Sequence, residues 1–287
     1  MVYRQLQALA RARYGGNTGA LLVVYAVEGF LRRLAVSSHA SRMTLKGGML
    51  MAATSARRMT KDADLAAVGI AHGQARVGEV VSEVVATFLA DDDGLTYDTE
   101  SIRTEVMREE AEYHGVRVKI QAYLATAQMT TTLDFSFGDP HRSVIVELPE
   151  LLGHATIRLA CYPPELTLAE KIATMMSRRE LNTRDRDFAD VWVLSRSLDI
   201  PAAALRSAIY EVAAHRRHDV VPLSEALADM PDRQAPYTAM LARMSYQRVP
   251  PTLWRDLLAD VRAFADPIIA DADGELTAWD AQALRWT

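Results

Sequence analysis

Residues 45–65 read LKGGMLMAATSARRMTKDADL, a stretch in which the adjacent glycines Gly47 and Gly48 precede Asp62 and Asp64 by about one short helix. A Gly-Gly turn at the start of a helix leaves backbone N–H groups free to meet an anion, and the dipole of the first turn favours negative charge there. The turn is a candidate phosphate seat. Aspartates at i and i+2 of an extended segment project from one face of a strand, where their carboxylates can share a divalent cation. The pair is a candidate metal seat. Alone, each feature is common, since most Gly-Gly pairs are plain turns and Asp-x-Asp is frequent on surfaces. In the order strand, glycine turn, helix and returning Asp-x-Asp strand, they point together to phosphate chemistry.

A chain of 287 residues with 49% hydrophobic side chains suits one large or two ordinary globular domains and excludes disorder as a global description. Cys161 is the lone cysteine, so no internal disulfide framework exists, and its setting in RLACY reads as a buried strand thiol. A reducing, cytoplasmic setting is expected. No stretch near the N-terminus combines a charged start, an apolar run and a small-residue cleavage site, and the longest apolar run, residues 19–27, ends at Glu28. That run is too short to span a bilayer, so a soluble protein with no membrane partner is expected. The net charge of −5 argues against a globally basic nucleic-acid coat but leaves local patches open. Nearly all basic residues are arginine, and two of the few lysines (Lys46, Lys61, Lys119, Lys171) fall inside the opening stretch.

Outward from that stretch, residues 3–13 and 17–36 have helical spacing, the second capped by Asn17 or Thr18. Residues 43–46 read as a short strand feeding the glycine turn, 49–55 as the helix leaving it, and 58–66 as the returning strand. Residues 73–89 carry a helical stripe from Val77 to Phe88, and Asp91-Asp92-Asp93-Gly94 after it reads as a solvated turn. Residues 101–105, 116–124 and 131–138 read as strands of one sheet. Alternation sends Arg117 and Lys119 to one face, while Asp134 sits inside an otherwise apolar strand. Burying Asp134 alone would cost on the order of several kcal/mol, so it must be paired or metal-bound. Residues 141–152 and 155–161 complete the β-rich half. After Pro163-Pro164 the pattern becomes helical, over residues 168–179, 184–197, 201–217, 223–227, 237–246 and 253–265, with a tail from Gly274. The expected fold class is α+β: a domain of residues 1–162 with a mixed sheet flanked by helices, then a helical domain of residues 163–287.

The glycine turn followed by Asp-x-Asp resembles the first motif of the DNA polymerase beta-like nucleotidyltransferases. The resemblance narrows when the rest is added: LKGG at 45–48, RMTKDAD at 58–64, LDFSFGD at 133–139, AEK at 169–171 and RDRDFAD at 184–190 follow the order of the AbiEii/MenT toxin family. It covers roughly residues 40–195 and adds little beyond 200. It implies a nucleotidyltransferase-like fold and a Mg²⁺-dependent toxin that moves a nucleoside monophosphate from an NTP to tRNA, at the 3′ acceptor end. Translation would be blocked, and a cognate antitoxin would neutralise the toxin.

The same resemblance implies the site residues. Asp62 and Asp64 would hold the metal, with Asp134 completing the set and Asp139, in a Gly-Asp-Pro turn, as its alternative. Gly47 and Gly48 would hold the triphosphate, and Lys171 would neutralise its charge, unless Lys171 is a surface partner of Glu165 or Glu170. Asp187, with Asp190 next, matches the family's later acid and could orient Lys171 or act as a general base; pairing with Arg184 or Arg186 is the structural alternative. One departure stands out: Met49 replaces the small hydroxyl residue common after the glycines. Phosphate binding would therefore lean on backbone N–H groups with Lys46, Lys61, Arg58 and Lys171. Thr60 occupies a position where hydroxyl modification regulates some relatives. Arg103, Arg108, Arg117, Arg178, Arg179 and Arg216 are candidates for holding an RNA backbone. Two alternatives remain open, NMP transfer to a protein hydroxyl and a non-catalytic partner-binding module of the same fold. His215 with His218 reads as a solvated basic surface, and Asp271-x-Asp273-Gly274 holds only a fragment of a calcium loop.

Overall fold

A computed structural model of the chain describes residues 1–50, 60–109, 113–138, 142–153, 156–244, 246 and 248–287. Its described residues form two compact units, the first ending at Tyr162 and the second starting at Pro163.

The first unit opens with helices α1 (Val2–Arg13) and α2 (Thr18–Val36), the latter capped by Asn17, whose side chain accepts from Ala20 N at 3.0 Å. Then follow β1 (Met43–Lys46), α3 (Gly47–Leu50), β2 (Asp62–Ala67), α4 (Gln74–Val85), β3 (Leu95–Glu109), β4 (Tyr113–Leu124), β5 (Ala127–Phe137), β6 (Val144–Pro149) and β7 (Thr156–Cys161). The seven strands make one mixed sheet in the order β3-β4-β5-β2-β1-β7-β6, parallel at β2/β5 and β1/β7 and antiparallel elsewhere. The α+β class expected for this half is the one found, and the strands read at 101–105, 116–124 and 131–138 are β3, β4 and β5 of this sheet, each longer at one end or both.

α2 is apolar on nearly every side because it is buried on nearly every side. Leu21, Tyr25, Phe30, Leu31 and Leu34 are each 4% exposed or less, and α2 packs on β5 and β7 while α4 covers β3. Two charges inside α2 are satisfied locally. Glu28 accepts from Leu151 N at 2.7 Å, and Arg33 grips both carboxylate oxygens of Asp93 at 2.6 and 3.0 Å. Asp93 is therefore no part of a solvated turn. It is 2% exposed, and its backbone carbonyl also takes the Tyr25 hydroxyl at 3.0 Å. Truncating one partner of such a pair costs roughly 3–5 kcal/mol, because the other charge stays buried alone. Helix α4 stops at Val85, so Phe88 lies beyond the stripe and is 86% exposed.

In the second unit, α5 (Pro164–Arg178) starts earlier than its apolar periodicity indicates, because Pro164 fits the first helical turn. It is followed by α6 (Asp185–Ser195), β8 (Ile200–Pro201), α7 (Ala202–His215), α8 (Leu223–Ala226), α9 (Gln234–Arg243), α10 (Trp254–Ala270), β9 (Ala278–Asp280) and β10 (Arg285–Trp286). The tail after Gly274 is not helical. It returns as β9 and β10, which with β8 form a small antiparallel sheet. Aromatic rings tie the unit together: Trp254 meets Phe188 and Tyr237 edge-on at 4.9 and 5.6 Å, while Trp279 and Trp286 close on Phe264 at 4.9 and 5.5 Å. Such long-range ring contacts, invisible to local periodicity, turn the tail into strands. Among the described residues no helix is long and apolar enough to cross a membrane.

Candidate active site

The candidate residues of the sheet unit come from neighbouring strands. β1 delivers Lys46 to the glycine turn, where Gly47 has φ +68°, a left-handed conformation that only glycine adopts without strain. A second reason for glycine is steric. A Cβ at Gly47 would stand 2.7 Å from the carboxylate carbon of Asp64 and closer still to one of its oxygens, so the carboxylate lies directly against the turn. The glycine turn and the Asp-x-Asp strand are thus one physical object.

Strand β2 begins at Asp62, later than the expected start, and its alternation leaves Asp62 and Asp64 half-buried with Ala63 fully buried between them. Lys46 lies opposite Asp64 across the β1/β2 ladder, so the two side chains share a face, and its Nζ sits 5.7 Å from the centre of the Tyr162 ring. On the other side of β2, Asp64 is level with Asp134 of β5, which is level with Arg117 of β4. Arg117 closes on Asp134 in a two-pronged pair, Nε to Oδ1 at 2.7 Å and Nη2 to Oδ2 at 2.6 Å. These hydrogen bonds raise the guanidinium's already high pKa, with further help from Glu105 and Asp62. Lys119, on the same face, pairs with Glu105 at 3.0 Å. Thr60, just before β2, is 2% exposed, while Lys61 faces solvent. Arg58 and Asp139 lie outside the described residues.

Fit to a metal divides these carboxylates. Asp62 and Asp64 project to one side of β2 beside the glycine turn and suit a divalent cation. Both oxygens of Asp134 are already engaged by Arg117, and among the described residues no group of three or more His, Cys, Asp or Glu side chains is arranged to hold a metal ion.

The helical unit brings together Lys171 of α5 with Asp187 and Asp190 of α6. Lys171 Nζ donates to Asp187 Oδ1 at 2.7 Å and to Asp190 Oδ2 at 2.9 Å. The i,i+3 spacing of the two acids sets both on the α6 face that packs against α5. The lysine side chain is 11% exposed and that of Asp190 fully buried, so Lys171 is held between two carboxylates rather than on a solvated surface. Asp185, at the start of α6, is taken instead by Arg233.

The other candidates fall elsewhere. Arg216 donates to Thr174 Oγ1 at 2.8 Å and lies 3.9 Å from Glu170, bracing α7 on α5, and Arg103 donates to the backbone carbonyls of Glu100 and Ile102. His215 and His218 are half-buried rather than solvated, and burial with the nearby Arg216 lowers the His215 pKa. Asp271 pairs with Arg206 and accepts from Glu275 N at 2.8 Å, so it braces a loop. Arg117 as the partner of Asp134 is the feature that sequence reading missed. It depends on a cross-strand register, for which the only local signal was the expectation that a buried Asp134 needs a cation.

Comparison with known proteins places this geometry in context. The sequence profile of the nucleotidyl transferase AbiEii toxin family, described as a type IV toxin–antitoxin system, matches residues 29–266. Among solved structures, JHP933 from Helicobacter pylori is similar with a TM-score of 0.50 and 12% identity, over 88% of this chain and 93% of that one. An H. pylori protein assigned as a nucleotidyltransferase is similar with a TM-score of 0.50 and 13% identity, over 88% and 96%. At such identities the likeness concerns the fold. No curated protein matched.

Proposed function

The chain belongs to the AbiEii nucleotidyl transferase toxin family, and on that basis we propose that it transfers a nucleoside monophosphate from an NTP to the 3′ acceptor end of tRNA. The observation that carries this reading is the Asp64 carboxylate lying against the left-handed Gly47 turn, which unites a phosphate seat and a cation seat. In the proposed reaction a bond forms between the acceptor oxygen and the α-phosphorus, and the bond from that phosphorus to the departing pyrophosphate breaks. Positioning and charge do most of the work in such transfers. Asp62 and Asp64 would hold Mg²⁺, which when bound supplies positive charge to the attacking and leaving oxygens. Backbone N–H groups of the Gly47-Gly48 turn, with Lys46 and Lys61, would hold the phosphates, since Met49 offers no hydroxyl. Lys171 would supply charge to the triphosphate only by exchanging the carboxylates that hold it, Asp187 and Asp190, for phosphate. Its bonds to Asp187 and Asp190 support an orienting role for Asp187 in preference to a general base, because the Asp187 oxygen is already occupied by the ammonium it holds. Thr60 is 2% exposed, so regulation by modification of its hydroxyl would require that residue to become accessible. The block to translation and a cognate antitoxin belong to the same proposal.

The test is transfer of label from each α-labelled NTP into tRNA with Mg²⁺, comparing wild type with Asp62→Ala. Label in tRNA with at least one nucleotide, lost in the variant, is expected. Absence of transfer into any RNA with all nucleotides would overturn the reading, and label on protein would move the acceptor to a protein hydroxyl. RNA binding should weaken steeply with added salt, as phosphate contacts do.

A further inference from the structure

The preceding proposal leaves one strong pair in the sheet unit without a task. Arg117 and Asp134 form the most complete two-pronged contact on the face that carries Asp62 and Asp64, and they do so one and two strands away from β2. A metal ligand must offer a lone pair toward the cation. Asp134 gives one lone pair of each oxygen to a guanidinium at 2.6 and 2.7 Å, which fixes its plane toward Arg117 and leaves only the outer lone pairs, with its side chain 11% exposed and that of Arg117 36% exposed. Arginine carries five N–H groups in a rigid fork, and Asp134 engages only the edge formed by Nε and one Nη2 hydrogen. Among the described residues no further hydrogen bond takes the remaining N–H groups on Nη1 and Nη2, which can meet an anion. Asp62 lies near enough for its charge to act on Arg117, as does Glu105, which stands opposite Arg117 on β3.

We propose that Asp134 is a positioning residue and not a metal ligand: it orients Arg117, whose outer edge contacts the phosphates of the nucleotide substrate beside a cation held by Asp62 and Asp64. This rests on the nucleotidyltransferase reading above and adds a phosphate-binding residue to it. The planar fork explains why an arginine serves where a lysine would not. A lysine is a point charge that one carboxylate cannot hold in a fixed plane, whereas Arg117 is clamped along one edge and presents the other at a set angle.

The test measures metal and nucleotide separately, without turnover. Mn²⁺ binding to the full chain is followed by electron paramagnetic resonance, and binding of a non-hydrolysable NTP by calorimetry, for wild type, Asp62→Ala, Arg117→Met, Asp134→Asn and the double variant Arg117→Met/Asp134→Leu. Asp134→Asn should keep Mn²⁺ affinity within about twofold and weaken the nucleotide about tenfold, as should Arg117→Met for the nucleotide, the scale of one charge-assisted hydrogen bond. The double variant, which replaces the pair by apolar groups and so tolerates a folding defect in the single ones, should match Asp134→Asn in both measurements. Loss of Mn²⁺ binding in Asp134→Asn or in the double variant, with wild-type melting, would make Asp134 a metal ligand and overturn the proposal. Unchanged nucleotide affinity in Arg117→Met would overturn it too, including the case where only RNA binding falls. Asp62→Ala separates the two levels: if it leaves Mn²⁺ affinity intact, the nucleotidyltransferase site itself is misassigned.

Discussion

Each unit of this protein sets a cation among aspartates, and the two are built differently. In the helical unit Lys171 is outnumbered by Asp187 and Asp190, and the trio is nearly sealed, with side chains 11%, 15% and 0% exposed. In the sheet unit Arg117 is over a third exposed and holds one carboxylate by one edge, while Asp62 and Asp64 lie half-buried on the next strand but one. Burial decides what each cluster contributes. Sealed charges must be satisfied for the unit to fold, so the lysine trio belongs to stability as well as to any chemistry. Accessible charges cost little to remove, so changes at Asp62 register mainly in ligand binding and turnover, whereas Asp134, with its side chain 11% exposed, still needs its partner to stay buried.

Substitutions that separate stability from activity test this contrast. Asp62→Ala should lower nucleotidyl transfer by about a thousandfold or more while shifting the melting temperature by only about 2 °C, measured by label transfer and calorimetry. A large drop in melting temperature would show that the sheet cluster is structural after all. Lys171→Met should cost roughly 3 kcal/mol in urea unfolding, since it leaves two carboxylates in a dry site. Little change there would break the comparison from the other side. Gly47→Ala should cost about 1–2 kcal/mol for the left-handed backbone and reduce transfer about a hundredfold, because the new methyl displaces the Asp64 carboxylate. The smallest effect concerns Cys161, whose thiol burial pushes up to about 12 and which is fully buried in β7. At pH 8 it should resist alkylation in the native protein and react once unfolded; native labelling, read by mass spectrometry, would show that the sheet opens beside β1.

Much of the fold was legible because local periodicity carries it. The apolar run of α2, the alternation in β4 and β5 and the stripe of α4 each identify an element from one window of sequence. The misreadings share a cause. Asp93 looked like a member of an acidic surface turn, but its partner Arg33 stands 60 residues away. The tail after Gly274 carries its two tryptophans into a ring cluster around Phe264, which makes it strand. Phe88 matched the helical period but falls after α4 ends. In the candidate site, Asp134 was legible as an acid in need of a cation, whereas the identity of that cation was not.

The sequence by itself determined that a glycine turn leads into a helix, that Asp62 and Asp64 share one strand face, and that Asp187 and Asp190 share one helix face, because spacing along a single element sets which side chains are neighbours. Only the tertiary structure decided that the Asp64 carboxylate rests on Gly47, that Asp134 is spent on Arg117, and that Lys171 is locked between two acids. Those contacts depend on strand order, register and helix packing, which arise from burial summed over a whole unit and leave no periodic trace in any one stretch.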